Sequence, residues 1–244
     1  MSPRASRPAD PDDIEGPRTD ERKVDGRSTD TAERIVAAAL KLFAEHGYEA
    51  TSVAEIEAAV GLTPGAGGIY RHFRSKRDVL AAAVRSASDA TAEAVSAGPP
   101  PEASSLPLAE QLAVLARLGL DKLRAERDLT RVAFRDLDHF PDLLAEVAEG
   151  NLQRSYTALT AWLRANGEGS AADWEAMAAV LAGAIANYWT VTEVFAAPPA
   201  RVNEDRFVAA WVSLARLALD AHRTDTGEKP APNHGRRSAR RRPR

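Results

Sequence analysis

Residues 51–80 constrain the fold of this chain more than any other stretch, because helix starts and a helix stop lie close together in TSVAEIEAAVGLTPGAGGIYRHFRSKRDVL. Ser52 and Glu55 have the spacing of a capping box, which predicts the start of a short helix. Gly61 predicts the end of that helix, because glycine accepts the positive φ of a C′ position. A threonine before Pro64 predicts the cap and first turn of a second short helix. Two short helices joined by a glycine turn are typical of a helix-turn-helix unit.

A basic and aromatic cluster follows this pair of helices. Ser75 and Asp78 predict a further helix start, and Lys76 lies in its first turn, where a cation opposes the helix dipole. Such a cation beside exposed N–H groups favours an external anion, and a DNA phosphate would suit it. The net charge of the chain is −3, which is unusual for a DNA-binding protein. The cations cluster in this segment, however, and a local basic patch on an otherwise acidic chain would orient the protein on DNA. The cations of the patch are Arg71, Arg74, Lys76 and Arg77.

A longer helix is predicted immediately before the helix-turn-helix unit. Asp30 and Glu33 form a capping box at its start, and Gly47 closes it. The apolar residues between them follow helical spacing: Ile35, Ala38, Ala39, Leu42 and Phe43. Residues 28–78 are therefore predicted to form a three-helix DNA-binding domain.

The pattern of this domain resembles the N-terminal domain of the TetR family of transcriptional regulators. The runs L-F-x-x-x-G-Y-x-x-T-S-V, G-L-T and I-Y-x-H-F-x-S-K occur in order, over roughly residues 30–80. The resemblance implies an all-α chain whose remainder, residues 79–222, is a helical ligand-binding and dimerisation bundle. It also implies phosphate contacts by Thr51, Tyr70, His72 and Lys76.

The segment GLTPGAGGIY departs from the usual layout of the family, because it is two residues longer and has three interior glycines. Each interior glycine weakens a helix by roughly 1 kcal/mol relative to alanine. One interpretation is a weak recognition helix that orders against DNA and makes sparse base contacts. The other is a loop extension before a shorter helix. The predicted DNA-contacting residues are Thr51, Ser52, Thr63, Pro64, Gly65, Ala66, Gly67, Tyr70, Arg71, His72 and Lys76.

Both ends of the chain are predicted to be disordered tails, residues 1–27 and 223–244. Basic residues between Arg22 and Arg27 could reach a minor groove as an arm, although their acidic neighbours favour a solvated tail. The arginine-rich C-terminal run would attract any polyanion, and the alternative is a solubility tail.

The body is predicted to be helical throughout, because no β-type alternation competes. Ser170 and Asp173 predict one helix start, Pro198 a stop, and Asn203 the cap of the last helix. A long helix is predicted after Pro141, ending near Gly167 and carrying Leu144, Val147, Ala148, Leu152, Tyr156, Leu159 and Leu163.

Two sets of residues in the body are candidates for binding. The last two helices carry large aromatic residues that would suit a two-fold dimer interface, the alternative being the core of one chain. The dimer candidates are Trp174, Leu181, Ile185, Phe207, Trp211 and Leu214. Aromatic residues with few polar groups would suit a mostly apolar ligand pocket, the alternative again being plain core packing. The pocket candidates are Phe134, Arg135, His139, Phe140, Tyr156, Trp162, Asn187, Tyr188, Trp189 and Thr190.

The predicted function is a ligand-responsive homodimer that regulates transcription, a repressor released from palindromic double-stranded DNA by a small effector. The alternative is an architectural, weakly specific DNA-binding protein with no small ligand. An enzyme is not expected, because Asp136, Asp138 and His139 lack a nucleophile and cannot hold a metal alone. No cofactor or metal is predicted. We expect a cytoplasmic protein, since the sequence has no cysteine, no visible signal peptide and no run near the roughly 20 apolar residues that span a bilayer.

Overall fold

The computed structural model describes residues 20–167 and 172–221. Over these ranges the chain forms helices and turns without a β-strand, which confirms the all-α prediction. The chain divides into two compact units, Met1–Leu80 and Ala81–Arg244. Residues 1–19 and 222–244, which hold most of both predicted tails, lie outside the described residues. Among the described residues, no helix has the length and apolar character needed to cross a bilayer.

The N-terminal unit contains helix α1 (Asp20–His46), helix α2 (Val53–Ala59) and the beginning of helix α3 (Lys76–Ala97). The predicted start of α1 at Asp30 is wrong, because the helix begins at Asp20 and includes part of the predicted tail. The residues between these two positions include Gly26 but no proline, and Glu21, Arg22, Lys23 and Arg27 have good helix propensity, so the helix continues through this stretch.

The core of the N-terminal unit is a small apolar cluster. The predicted chain turns occur where expected, with positive φ at Gly47 (+100°) and Gly61 (+76°). Among the residues whose burial is described, the buried apolar ones come from α1, from α2 and its end, from Ile69 and from the start of α3: Ile35, Ala39, Phe43, Ile56, Val60, Ile69, Val79 and Leu80. The predicted capping box is present, since the Ser52 amide donates to Glu55 Oε2 (2.7 Å) and the Glu55 amide donates to Ser52 Oγ (3.2 Å).

The second unit, which we call the body, contains the remainder of α3 and the other helices. Their bounds are α4 Leu108–Ala125, α5 Arg127–Arg135, α6 Pro141–Val147, α7 Arg154–Asn166, α8 Trp174–Phe195 and α9 Glu204–Ala221. Short 3₁₀ turns occur at Pro101–Ser105, Leu137–His139 and Pro199–Arg201. Asp173 caps α8 through the Ala176 amide (2.9 Å), and Asn203 caps α9 through the Arg206 amide (3.1 Å). Ser170, the other half of the predicted box, lies outside the described residues.

The core of the body lies among α4, α7, α8 and α9 and is rich in aromatic side chains. Its central residues include Leu112, Leu120, Leu163, Trp174, Leu181, Ile185, Tyr188, Trp189 and Trp211.

A π-helical segment, Ala148–Gln153, joins α6 to α7 within the stretch predicted as one long helix after Pro141. Leu144 and Leu152 are both exposed. Leu143 and Asn151 are buried instead, each four residues from the buried Val147 and therefore on the same helical face.

Candidate nucleic-acid interface

The segment between α2 and α3 is a loop followed by a short helix. Residues 61–67, here called the glycine loop, form turns, and a 3₁₀ helix follows at Gly68–Arg71. Gly65 and Gly67 have φ values of +76° and +73°, which an α-helix cannot accommodate. The expectation that Thr63 and Pro64 open a second α-helix is therefore corrected. The sequence left two interpretations of this longer segment, a weak recognition helix and a loop extension before a shorter helix. In the structure the segment is a loop followed by a short 3₁₀ helix.

A buried carboxylate organises this loop. Glu57, on α2, has a relative exposure of 0%. It accepts hydrogen bonds from the main-chain amides of Gly65 (2.7 Å) and Ile69 (3.2 Å). Glu57 was not among the candidates from the sequence. Its signal was a charge at helical spacing from two apolar residues of the same segment, Val53 and Val60.

Several of the predicted DNA-contacting residues lie together on the surface. Thr63, Pro64, Gly65 and Ala66 are consecutive and exposed at the tip of the glycine loop. Tyr70, with 57% of its surface exposed, follows in the 3₁₀ helix. Arg71 and Arg74 are also exposed, whereas Gly67 and His72 are half-buried. The surface thus combines small and hydroxyl-bearing groups with an aromatic phenol and two guanidinium groups.

Lys76 has internal partners, which corrects the inference that its cation needs an external anion. Its ammonium donates to the carbonyl oxygens of Tyr48 (2.8 Å) and Thr51 (3.0 Å). The same ammonium lies 4.3 Å from the centroid of the Tyr48 ring, a cation–π contact. These contacts stabilise a cation at the start of α3 and hold the turn that joins α1 to α2.

Thr51 and Ser52 also use their hydroxyl groups within the unit. The Thr51 side chain is buried, and its hydroxyl donates to the carbonyl oxygen of Gly47 (2.8 Å). A phosphate contact through this hydroxyl is therefore corrected to a structural role. Ser52 is exposed, but its hydroxyl donates to Glu55 Oε2 (2.7 Å). Hydrogen bonds from Ser52 lower the pKa of Glu55, the one from its main-chain amide having the largest effect.

The predicted pocket residues do not line one cavity. Tyr188 and Trp189 are buried in the core of the body, and Tyr188 stacks on Phe207 with ring centroids 4.1 Å apart. Trp162 lines a cleft of about 150 Å³ beside the prolines at 99–101. Phe134 is 84% exposed. Of the remaining candidates, Arg135, His139 and Asn187 are exposed, and Phe140, Tyr156 and Thr190 are half-buried. Their residue types would suit a pocket, but the packing of the helices places some of these side chains in the core and others at the surface.

Most of the predicted dimer residues fill the core of a single chain instead. Trp174, Leu181, Ile185 and Trp211 are all buried, and the Trp211 indole donates to the carbonyl oxygen of Leu181 (2.9 Å). Phe207 is half-buried against Tyr188. These residues therefore belong to the core of one chain, which was the alternative interpretation of the sequence. Leu214 is exposed, as are two other large apolar residues of the same helices, Val180 and Leu217.

Comparison with known proteins assigns the N-terminal part of the chain. A family model described as bacterial regulatory proteins, tetR family, matches residues 35–83. The HTH-type transcriptional regulator AcrR from Shigella flexneri is 41% identical over 59 residues, which cover 24% of this chain and 26% of that protein. The HTH-type transcriptional repressor AcnR from Corynebacterium glutamicum is 37% identical over 70 residues, covering 29% of this chain and 36% of that protein.

The matched segment thus spans only about a quarter to a third of these curated relatives. Likeness in fold extends further. The crystal structure of the transcriptional regulator FadR from Bacillus subtilis in complex with stearoyl-CoA has a TM-score of 0.54. The two structures match over 77% of this chain and 97% of the FadR chain, at 20% identity, which shows a common fold. The match to the model of the tetR family of bacterial regulatory proteins thus covers residues 35–83, and beyond this segment the likeness to FadR is one of fold.

Proposed function

We propose that the chain is a homodimeric repressor that binds a palindromic operator and is released by a small, mostly apolar effector. The observation that carries the proposal is the exposed surface from Thr63 to Arg74, within the segment that matches the family. The matched relative AcnR is a repressor, which supports the sign of regulation.

The exposed surface offers both classes of DNA contact. Arg71, Arg74 and the phenol of Tyr70 suit phosphate oxygens, which receive half or more of the hydrogen bonds in protein–DNA complexes. Thr63 can hydrogen-bond a base edge, and the Ala66 methyl group suits the methyl group of thymine. Thr51 and Lys76 would act indirectly by fixing the turn between α1 and α2.

A dimer interface on the outer faces of α8 and α9 replaces the predicted one. Val180, Leu214 and Leu217 expose apolar surface that a second copy would bury. Gly183 would allow close approach, since a Cβ built there meets no atom within 4 Å. A two-fold dimer would present its two DNA-binding units to half-sites about 34 Å apart, one helical turn of DNA.

The effector would act by shifting the population of two conformations of the dimer. The fold neighbour FadR binds stearoyl-CoA, which supports a ligand with a long apolar part. Helix α3 begins in the N-terminal unit and continues into the body, so a displacement of α3 would change the separation of the two DNA-binding units. Polar side chains hold α3 in the body, because the hydroxyl of Ser88 donates to Asn151 Oδ1 (3.0 Å) and the hydroxyl of Thr91 donates to Glu126 Oε1 (2.9 Å).

The test is a fluorescence anisotropy titration with DNA flanking the protein's own gene and with DNA chosen by selection from random duplexes. Shuffled duplexes of equal length are the control. We expect binding to one palindromic sequence at least about a thousandfold tighter than to the shuffled control. A fatty acyl thioester that weakens this binding and raises the melting temperature would support the effector class.

Equal affinity for all duplexes, with a steep salt dependence, would support the architectural alternative instead.

A further inference from the structure

We propose that Glu57 fixes the glycine loop in the shape that contacts base edges, so that a carboxylate-anchored loop takes the place of a recognition α-helix. This inference rests on the proposed DNA-binding function. It assigns sequence discrimination to a residue that does not itself reach the protein surface.

The buried environment of Glu57 means that its carboxyl oxygens need hydrogen-bond donors from the protein. An ionised carboxylate removed from water is strongly destabilising unless hydrogen bonds compensate it. In the described part of the chain its hydrogen-bond donors are two main-chain amides, those of Gly65 and Ile69. The 2.7 Å distance to Gly65 is typical of a charge-assisted hydrogen bond. The carboxylate is therefore bound to the loop.

The two amides lie at positions that determine the shape of the loop. Gly65 is at the exposed tip, whereas Ile69 is buried in the core of the unit. One carboxylate that binds both amides ties the tip to the core. Gly68, the residue that follows the glycine loop, also lies close to this anchor. A Cβ built on Gly68 would lie 3.3 Å from Leu62 Cδ1 and 3.7 Å from Glu57 Oε1.

The exposed side chains proposed to contact DNA form two sets, and the position of only one set depends on Glu57. Thr63 and Ala66 lie within the anchored loop and face solvent. Arg71 and Arg74 lie beyond Ile69, outside the segment that the carboxylate clamps. Release of the clamp would let the loop adopt many conformations, and binding a base sequence would then require ordering it. The phosphate contacts would be largely unaffected, so the ratio of specific to non-specific affinity is the quantity that should change.

The experiment compares full-length wild-type protein with Glu57→Ala, Glu57→Gln and the matched control Glu55→Ala. The control removes a carboxylate from the same helix at an exposed position. Anisotropy titrations measure affinity for the selected operator and for a shuffled duplex. Hydrogen exchange measured by NMR reports the protection of the Gly65 and Ile69 amides in the absence of DNA.

For Glu57→Ala we expect faster exchange at both amides and a loss of about tenfold or more in the specific-to-non-specific ratio. Affinity for the shuffled duplex should stay within about twofold, because the cations are retained. Glu57→Gln retains one acceptor oxygen and should lie between the alanine variant and wild type. Glu55→Ala should keep the ratio and the protection of both amides.

An unchanged ratio in a folded Glu57 variant whose amides exchange faster would overturn the proposal. If Glu57→Ala does not fold, Glu57→Gln decides by the same two measurements. A wild-type protein that binds both duplexes equally would refute the proposed function, and the exchange data would still show whether Glu57 holds the loop.

Discussion

In the N-terminal unit, the buried side chains of Thr51 and Glu57 bind main-chain groups that are close in sequence. In the body, the buried Ser88, Thr91 and Asn151 bind side chains of distant elements. Thr51 donates to the carbonyl of Gly47, four residues away, and Glu57 accepts from Gly65, eight residues away. In the body, Ser88 and Asn151 are 63 residues apart. The buried Asn151 also donates to Glu126 (3.2 Å), which lies 25 residues before it.

This difference follows from the length of the elements. Helix α2 and the 3₁₀ helix of the N-terminal unit are too short to bury much apolar surface, so side-chain hydrogen bonds to the main chain hold their ends and turns. The helices of the body are long enough to form an aromatic core, and their polar contacts set how one helix is placed against another. A protein that must present a fixed contact surface and still respond to an effector can use both arrangements.

The largest effect should come from the aromatic core of the body. Trp211→Ala removes a buried indole and its hydrogen bond to Leu181, and we expect the free energy of unfolding to fall by about 3–5 kcal/mol. Phe134→Ala is the matched control, because it truncates an exposed aromatic side chain and should change stability by less than about 0.5 kcal/mol. Urea unfolding followed by circular dichroism measures both. Similar losses in the two variants would contradict the assigned core.

The second prediction separates structural cations from DNA-binding cations. Lys76→Met retains the aliphatic stem but loses two hydrogen bonds, so we expect a loss of about 2 kcal/mol in stability. The slope of log affinity against log salt for non-specific DNA should not change. Arg71→Ala, at an exposed position, should instead reduce that slope by about one and leave the melting temperature nearly unchanged. A reduced slope in Lys76→Met would place its ammonium on a phosphate.

These contacts show how far the sequence predicts the structure. Local signals located the end of α1 and both ends of α2 correctly: Gly47, the Ser52–Glu55 box and Gly61 all lie where their spacing indicated. The partners of Lys76 could not be predicted, because the carbonyls of Tyr48 and Thr51 approach it only through the packing of α3 against the preceding turn.

Dependence on packing also explains why the candidate pocket and dimer residues of the body could not be located from the sequence. The apolar pattern located the helices but not the face that each one buries, and an aromatic residue is equally suited to a core, a pocket or an interface. Trp174 and Trp211 therefore lie in the core of one chain, while Leu217, which was not among the dimer candidates, is 68% exposed. Capping boxes act within four residues, whereas burial depends on contacts across the whole body.

The third prediction concerns the polar contacts between helices. Asn151→Ala leaves Ser88 and Glu126 without one hydrogen-bond partner each, and we expect a loss of about 1.5 kcal/mol in stability. Gln153→Ala, at an exposed position of the same π-helical segment, is the control. Hydrogen exchange around Ser88 should be faster in Asn151→Ala, since α3 loses a contact with that segment. Combining Asn151→Ala with Ser88→Ala should cost less than the sum of the single variants, and strict additivity would show that the pair does not interact.

The smallest effect should come from the exposed capping box at the start of α2. Hydrogen bonds from Ser52 lower the pKa of Glu55 below the ordinary value of 4.5, so the folded protein favours the ionised carboxylate. The stability that this ionisation contributes is present above the pKa of the unfolded chain and is lost as the pH falls through the lower, folded value. Glu55→Gln keeps an acceptor oxygen but does not titrate, so its acid unfolding should lack this component. Glu49→Gln removes an exposed carboxylate just before the helix and controls for charge alone. NMR titration of the Glu55 carboxyl carbon gives the pKa directly, and a value at or above 4.5 would mean that the box does not hold Ser52 in solution.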